Sequence, residues 1–356
     1  MTADSKKFLY EYLNNNSPTG FESSGQRIWL DYIKPFTDTY FTDTYGSAVA
    51  VINPEAKYKV VIEAHADEIS WFVKYITDSG YIYVTRNGGS DYQIAPSKRA
   101  KIHTADGIVK AIFGWPAIHV RDKESEKQPG EESVILDCGC ETKDEVEKLG
   151  IHVGCVVTFD EDLFEMNNKF LVGRALDNRI GGYMIAETAR MLKENNIKLP
   201  FGLYIVNAVQ EEIGLRGAQM IAQRIKPDLA IITDVTHDTQ SPLYSKVKQG
   251  DQKAGKGPVL SYAPAVHNNV LNMLIKTAQA KDIPFQRAAL SRFTGTDTDA
   301  FAYSNEGVAS ALVSLPLKYM HTTVEMVHKD DIENVIRLFY EFLIQLEDGY
   351  DFRYIK

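Results

Sequence analysis

Five residues able to bind a divalent metal stand at the ends of apolar runs or at the head of a helical pattern. They are His65 in EAHADE, Asp177 in RALDNR, Glu212 in VQEEIG, Asp234 in IITDVT and His321 in KYMHTTVE. Two divalent ions a few ångströms apart need imidazole or carboxylate ligands on each, and a carboxylate whose two oxygens bridge them. Asp177 is the expected bridge, with His65 and Asp234 on one ion and Glu212 and His321 on the other. Each ion then has three protein ligands and room for a water, the pattern of a catalytic rather than a closed structural site. Glu211 stands beside a ligand without being needed as one, which frees it to act as general base toward a water acidified by the ions. Asp67, two residues after His65, is placed to accept the ring N–H of that histidine and fix its tautomer. Each signal alone is weak: an H-x-D tripeptide is more often a surface turn, and adjacent glutamates more often form a solvated face. Their joint placement carries the argument.

The elements that must position these residues read as strands ending at one rim. Ligands of open α/β sheets bind beyond the carboxyl ends of the strands, where loops are free to carry polar side chains. Val60 to Ile62 form a short apolar run just before His65, Leu203 to Val209 read as a buried strand leading to Glu211 and Glu212, and Leu229 to Ile232 lead to Asp234. Ala309 to Leu315 run to Pro316, which is expected to end a central strand, with His321 a few residues on. Asp177 instead opens a helix, with Ile180, Met184, Met191 and Leu192 at helical spacing behind it. Further helical stripes are Ala218, Ile221, Ala222 and Ile225, and then Ile332, Val335, Ile336, Phe339, Phe342, Leu343 and Leu346.

Between Trp71 and about Glu165 the pattern changes to short alternating strands with turn signals at Asp78 to Gly80, Asn87 to Gly89 and Ala105 to Gly107. This predicts a β-rich insertion over 70–165 that splits a catalytic domain into 1–69 and 166–356. The charged stretch Arg121 to Ser133 reads as a mobile surface loop, with ordering by a neighbouring subunit as the alternative.

The segments AHADEIS, VGRALDNRIGG, VQEEIGLRGA, ITDVTHD and LPLKYMHTTVE resemble, in that order, the metal-site motifs of the tetrahedral metallo-aminopeptidases, a group that includes glutamyl and deblocking aminopeptidases. The likeness runs from Ser17 to the last helix. It implies a doubly wound α/β metallopeptidase domain with an inserted small β-barrel-like domain, and an exopeptidase using two zinc or cobalt ions per subunit on peptide substrates. It also implies assembly into hollow tetrahedral dodecamers built from dimers. His65, Asp177, Glu212, Asp234 and His321 match the family's ligands, Glu211 its base and Asp67 its histidine-orienting acid. The chain departs from the family pattern at Ala66 and Ser70, and in TGTDTDAF (Thr294 to Phe301), a loop that by analogy shapes the pocket for the substrate's first side chain. There Gly295, Thr296 and Asp297 are the expected substrate-contacting residues. Asp297 and Asp299 either favour a basic first residue or brace the loop.

A length of 356 residues exceeds the usual single-core limit and so calls for a second domain. A net charge of -9 argues against a nucleic-acid partner, which would want a basic face. No apolar run approaches the roughly eighteen residues of a membrane span, and the start MTADSKKFLYEYL lacks a signal peptide's apolar core, so a cytoplasmic protein without a membrane partner is expected. Three cysteines suit a reducing compartment. Cys138 and Cys140 in DCGC lack zinc-site spacing to Cys155 and read as buried thiols, not as a metal or redox pair. Two rival readings are a cellulase-type glycoside hydrolase working through paired carboxylates, and a non-catalytic, metal-stabilised assembly subunit.

Overall fold

A computed structural model describes residues 1–121 and 126–355, so residues 122–125 of the charged Arg121 to Ser133 stretch, and what was expected of them, lie outside the described residues. In chain order the strands are β1 (Thr39–Thr42), β2 (Ala48–Ile52), β3 (Lys59–His65), β4 (Ser70–Ile76), β5 (Ile82–Asn87), β6 (Arg99–Thr104), β7 (Gly107–Gly114), β8 (Ile135–Asp137), β9 (Val156–Phe159), β10 (Phe164–Met166), β11 (Phe170–Gly173), β12 (Gly202–Ala208), β13 (Leu229–His237), β14 (Val259–Tyr262), β15 (Gln286–Ala289), β16 (Ala309–Lys318) and β17 (Glu325–His328). The α-helices are α1 (Ala3–Asn14), α2 (Ser23–Ile33), α3 (Lys143–Lys148), α4 (Leu176–Glu194), α5 (Arg216–Ile225), α6 (Lys246–Gln249), α7 (Asn268–Ala280), α8 (Asp297–Ala302) and α9 (Lys329–Gln345).

The large mixed sheet has the order β1-β2-β12-β3-β13-β16-β17-β11-β10, with β14 and β15 attached beside β16. Its centre, β12-β3-β13-β16, is parallel, and these strands are near-continuous aliphatic runs because both of their faces are covered. Register places the strand exits level. Ala208 lies opposite His65, and Ile232 opposite Glu63, so Asp234 leaves β13 at the height where His65 leaves β3.

Side-chain alternation on β3 sorts the covering helices. Ala64 faces α4, whose Gly181 packs so closely that an added Cβ would stand 2.8 Å from the Ala64 Cβ. Glu63, on the opposite face, meets Asp297 at the head of α8. With α4 pack α1, α2 and α9, while α5 and α8 pack together beside β12, β13 and β16. The predicted stripes of α5 and α9 are buried, as are Ile180, Met184 and Leu192 on α4.

Pro316 does not end its strand, contrary to expectation. β16 continues to Lys318, with Pro316 buried and opposite Thr236 of β13. On its other side β16 pairs with β14 at Val313 and Ser314, and with β17 only from Leu317. Pro316 falls in the gap between those partners, where no ladder needs its missing N–H.

The interruption between β3 and α4 is a closed antiparallel barrel in the order β4-β5-β8-β7-β6-β9, running from Ser70 to Phe159, and β10 already belongs to the large sheet. The barrel has its own core around fully buried Trp71, whose ring lies 4.9 Å from Tyr92 and 5.8 Å from Phe113. Aromatic clustering of this kind lets a small barrel exclude water with few side chains. Among the described residues, no helix is long and apolar enough to cross a membrane.

Candidate metal centre

The five expected ligands and Glu211 converge at the rim of the parallel strands, in a cleft of about 720 Å³. His65 ends β3 and is 2% exposed. Its Nε2 lies 3.3 Å from Asp177 Oδ1, 3.8 Å from Asp234 Oδ1 and 3.8 Å from Glu211 Oε2. His321 Nε2 lies 3.4 Å from Asp177 Oδ2 and 3.5 Å from Glu212 Oε2. The two oxygens of Asp177 thus face different imidazoles, one with Asp234 beside it and the other with Glu212.

The local backbone explains this convergence. Asp177 lies in the first turn of α4 but has extended dihedrals (φ -76, ψ 113), so its side chain leaves the helical path; the Asp177–Asn178 peptide is cis. Behind it, Gly181 and Gly182 let α4 sink onto the sheet, where Trp29 Nε1 donates to the Gly182 carbonyl at 2.8 Å. Gln210, Tyr319 and His321 all have positive φ (57, 62 and 59) without being glycine. Such conformations cost about 1–3 kcal/mol each and persist where surrounding contacts hold them.

Those contacts come largely from carboxylates. Asp67 Oδ1 faces His65 Nδ1 at 3.4 Å, and the Asp67 carbonyl oxygen lies 3.3 Å from the same nitrogen. The Asp67 carboxylate also accepts the backbone N–H groups of Glu211 (2.9 Å) and Glu212 (3.2 Å), and the Thr19 hydroxyl (2.9 Å). Glu325 performs a parallel task on the other side. It accepts the N–H of Asp177 at 3.0 Å and of His321 at 2.8 Å. Glu325 went unnoticed in the sequence, although a carboxylate four residues beyond His321 in the same motif was a usable signal. Thr19 sits in the Ser17 to Gly20 turn, which joins α1 to α2 and also braces Asp67.

The inserted barrel reaches this centre. Its Asn87 to Gly89 turn lies against His321 so closely that a Cβ on Gly89 would stand 2.7 Å from the imidazole.

The donor set fits divalent cations. Two donors about 2.0–2.1 Å from a common tetrahedral ion stand about 3.4 Å apart, close to the His65–Asp177 and His321–Asp177 separations. Three overlapping groups, His65–Asp177–Asp234, Asp177–Glu212–His321 and His65–Glu211–Glu212, each bring their ligand atoms within 4.8 Å of one another. The cleft lining contains no lysine or arginine. Buried negative charge without counter-charge is the condition cations relieve. Burial, opposed by His65 and reinforced by Asp297, Asp234 and Asp67, pushes Glu211 up to about 10. Burial and Asp177 drive Glu212 well above the usual carboxylate range, and burial takes Asp234 up to about 7. Asp177 moves the other way: burial would raise it, but His321 and His65 hold its carboxyl below the usual range.

The expected substrate loop divides. Gly295 and Thr296 line the cleft, but Asp297 does not. It is 1% exposed at the head of α8, where its carboxyl meets that of buried Glu63 and neither accepts a hydrogen bond from another group. Burial, then Glu63, raises Asp297 well above the carboxylate range. The expectation that Asp297 contacts the substrate is therefore corrected, because its side chain turns from the cleft into the protein toward Glu63. A charge inside the apolar run VVIEAH was the overlooked sign of its partner. Asp299 does line the cleft, and its carboxylate accepts the N–H groups of Thr294 (3.0 Å) and Gly295 (3.2 Å), bracing the loop. His237 also lines the cleft, whereas His103 and His152 sit on the barrel and His267 and His328 at helix starts.

Comparison with known proteins finds relatives among the aminopeptidases. A model of the M42 glutamyl aminopeptidase family matches residues 46–338. Lysyl aminopeptidase of Pyrococcus furiosus is 32% identical over 345 residues, covering 96% of this chain and 97% of that protein. The TET aminopeptidase of a marine sediment archaeon, Thaumarchaeota archaeon SCGC AB-539-E09, superposes with a TM-score of 0.92 at 27% identity, over 97% of this chain and 98% of that one. The TET1 peptidase of Pyrococcus horikoshii, described as able to assemble into a tetrahedron or a large octahedral shell, superposes with a TM-score of 0.85 at 25% identity, over 96% and 100% of the two chains.

Proposed function

As the chain belongs to the M42 glutamyl aminopeptidase family, we propose that it releases N-terminal amino acids from peptides at a centre of two zinc or cobalt ions. The observation that carries this reading is the arrangement of Asp177. Its Oδ1 faces His65 and its Oδ2 faces His321, with Asp234 and Glu212 completing the two sides. His65 and Asp234 would hold one ion, Glu212 and His321 the other, and Asp177 both.

When bound, two such ions supply Lewis acidity and lower the pKa of water toward neutrality. The chain supplies the rest. Glu211, whose backbone N–H is tied to Asp67 and whose raised pKa bound cations would bring down, would take a proton from the attacking water and return it to the departing amine. Asp67 and Glu325 keep the two imidazoles and the bridging carboxylate in register. Gly295 and Thr296, on a loop braced by Asp299, offer a wall of the cleft against which the substrate's first residue lies. Deeper shielding of the cleft falls to the barrel, an inserted domain from Ser70 to Phe159, through its Asn87 to Gly89 turn.

The glycoside-hydrolase reading needs paired carboxylates only, and leaves the convergence of His65 and His321 unexplained. A purely structural metal clasp leaves Glu211 without a task. By analogy with the Pyrococcus horikoshii peptidase, the chain assembles into a tetrahedral dodecamer built from dimers, a proposal that a solution mass of one or two chains would remove. The three free cysteines favour a cytoplasmic setting.

Replacing Glu211 with Gln tests the mechanism. The variant is expected to retain both metals by elemental analysis while turnover of an aminoacyl anilide falls about 10²–10⁴-fold. Full turnover sinks the base assignment. Hydrolysis of a cellulosic polymer in place of the anilide by the unmodified protein sinks the reaction class.

A further inference from the structure

The barrel carries a second pair of reactive groups that the metal centre does not use. β8 ends at Asp137, and Cys138, Gly139 and Cys140 follow. On a fully extended strand, residues two apart lie about 6–7 Å from each other. Here Gly139 has φ 79, and Asp137 Oδ1 accepts its N–H at 2.8 Å, so the chain turns and the two sulfur atoms come to 3.7 Å. Both thiols are partly exposed and free, while Cys155 is buried elsewhere, its sulfur taking the His152 N–H at 3.4 Å. The turn is held by its neighbours. The Cys140 carbonyl lies against Gly80, where an added Cβ would come within 2.5 Å of it, and the Lys143 N–H donates to the Asp78 carbonyl at 3.2 Å.

This pair lacks the third ligand that a metal would need. Among the described residues, every grouping of His, Cys, Asp and Glu tight enough to hold an ion belongs to the centre described above. Two sulfurs in contact, partly open to solvent and without a further ligand, are instead arranged for oxidation to each other.

We propose that Cys138 and Cys140 form a reversible redox site that closes to an intrachain disulfide on reaction with low-molecular-weight disulfides of the glutathione type. The Cys138 thiol donates toward Cys140 Sγ, so Cys138 has its proton engaged and Cys140 is assigned the first attack. Attack of Cys140 Sγ on one sulfur of the oxidant forms a mixed disulfide and expels one thiolate, which takes up the proton Cys140 lost. Cys138 Sγ then gives its proton to solvent and attacks Cys140 Sγ, expelling the second thiolate, which is protonated in turn. Two protein thiols are oxidised to one disulfide and one external disulfide is reduced to two thiols. Burial and then Cys140 push the Cys138 thiol up to about 11, in keeping with its acting second. A ring closed over three residues is strained and therefore easily reduced again.

The test uses the full-length, metal-loaded protein, held folded in glutathione buffers of graded oxidised-to-reduced ratio, then alkylated and mapped by peptide mass. The expected result is joint loss of two alkylatable thiols from the peptide containing Cys138 and Cys140, restored by reduced glutathione, with Cys155 unchanged throughout. Cys138→Ser is expected to stop at a glutathione adduct on Cys140, and Cys140→Ser to remain unmodified at the same ratio. The proposal is overturned if the unmodified protein stays fully alkylated in the most oxidising buffer, or if it ends as a stable glutathione adduct. Consumption of Cys155 in the crosslink overturns it equally.

Discussion

The Asp67 carboxylate faces His65 Nδ1 and accepts from the backbones of Glu211 and Glu212 and from Thr19. One side chain therefore ties the exit of β3 to the exit of β12. Asp67→Asn keeps the shape but leaves one oxygen to accept where two did, and turns an N–H₂ toward groups that donate. Affinity for divalent metal is expected to fall about 10–100-fold, as read by competition with a chelator. Unchanged affinity would mean that Asp67 positions nothing. The five residues that converge on the cleft were legible because each follows an apolar run or heads a helical stripe, so local pattern located them. Glu325 and Glu63 left only local hints, a carboxylate four residues past His321 and a charge inside an apolar run, because their partners Asp177 and Asp297 come from distant segments. Asp297 was expected to line the cleft with Gly295 and Thr296, and the tertiary fold instead turned its side chain inward.

Among the elements, α4 decides how far the Asp177 carboxylate stands from His65 and His321. Its Gly181 has no room for a side chain: an added Cβ would meet Asn178 Oδ1 at 2.4 Å and the Ala64 Cβ at 2.8 Å. Gly181→Ala is expected to lose about 1–3 kcal/mol of stability by overpacking, seen as a lower midpoint in chemical denaturation, despite alanine's better helix propensity. A midpoint at or above that of the unmodified chain would show that α4 can lift off the sheet freely. Strand positions were readable from aliphatic runs, but the reach of β16 through Pro316 was not. That reach depends on which neighbours leave a gap in the ladder, and pairing partners are not written in a strand's own residues. The Asn87 to Gly89 turn was likewise readable as a turn, while its contact with His321 depends on how the barrel closes.

At the scale of the molecule, a net charge of -9 and a cleft lined by carboxylates without lysine or arginine make one demand: cations must neutralise the centre. The split of the chain into a sheet with flanking helices and an inserted barrel was legible from the change of period near Trp71. How the barrel lies over the cleft was not, since it is set by contacts between residues more than a hundred positions apart. Metal dependence is therefore the claim on which the account stands. The direct measurement is a titration of chelator-stripped protein with zinc or cobalt, following hydrolysis of an aminoacyl anilide and bound metal together. The account predicts no activity without metal, activity rising to a plateau at two ions per chain, and none toward the N-acetylated substrate. Full activity in the stripped protein, or a plateau at a single ion, would contradict it.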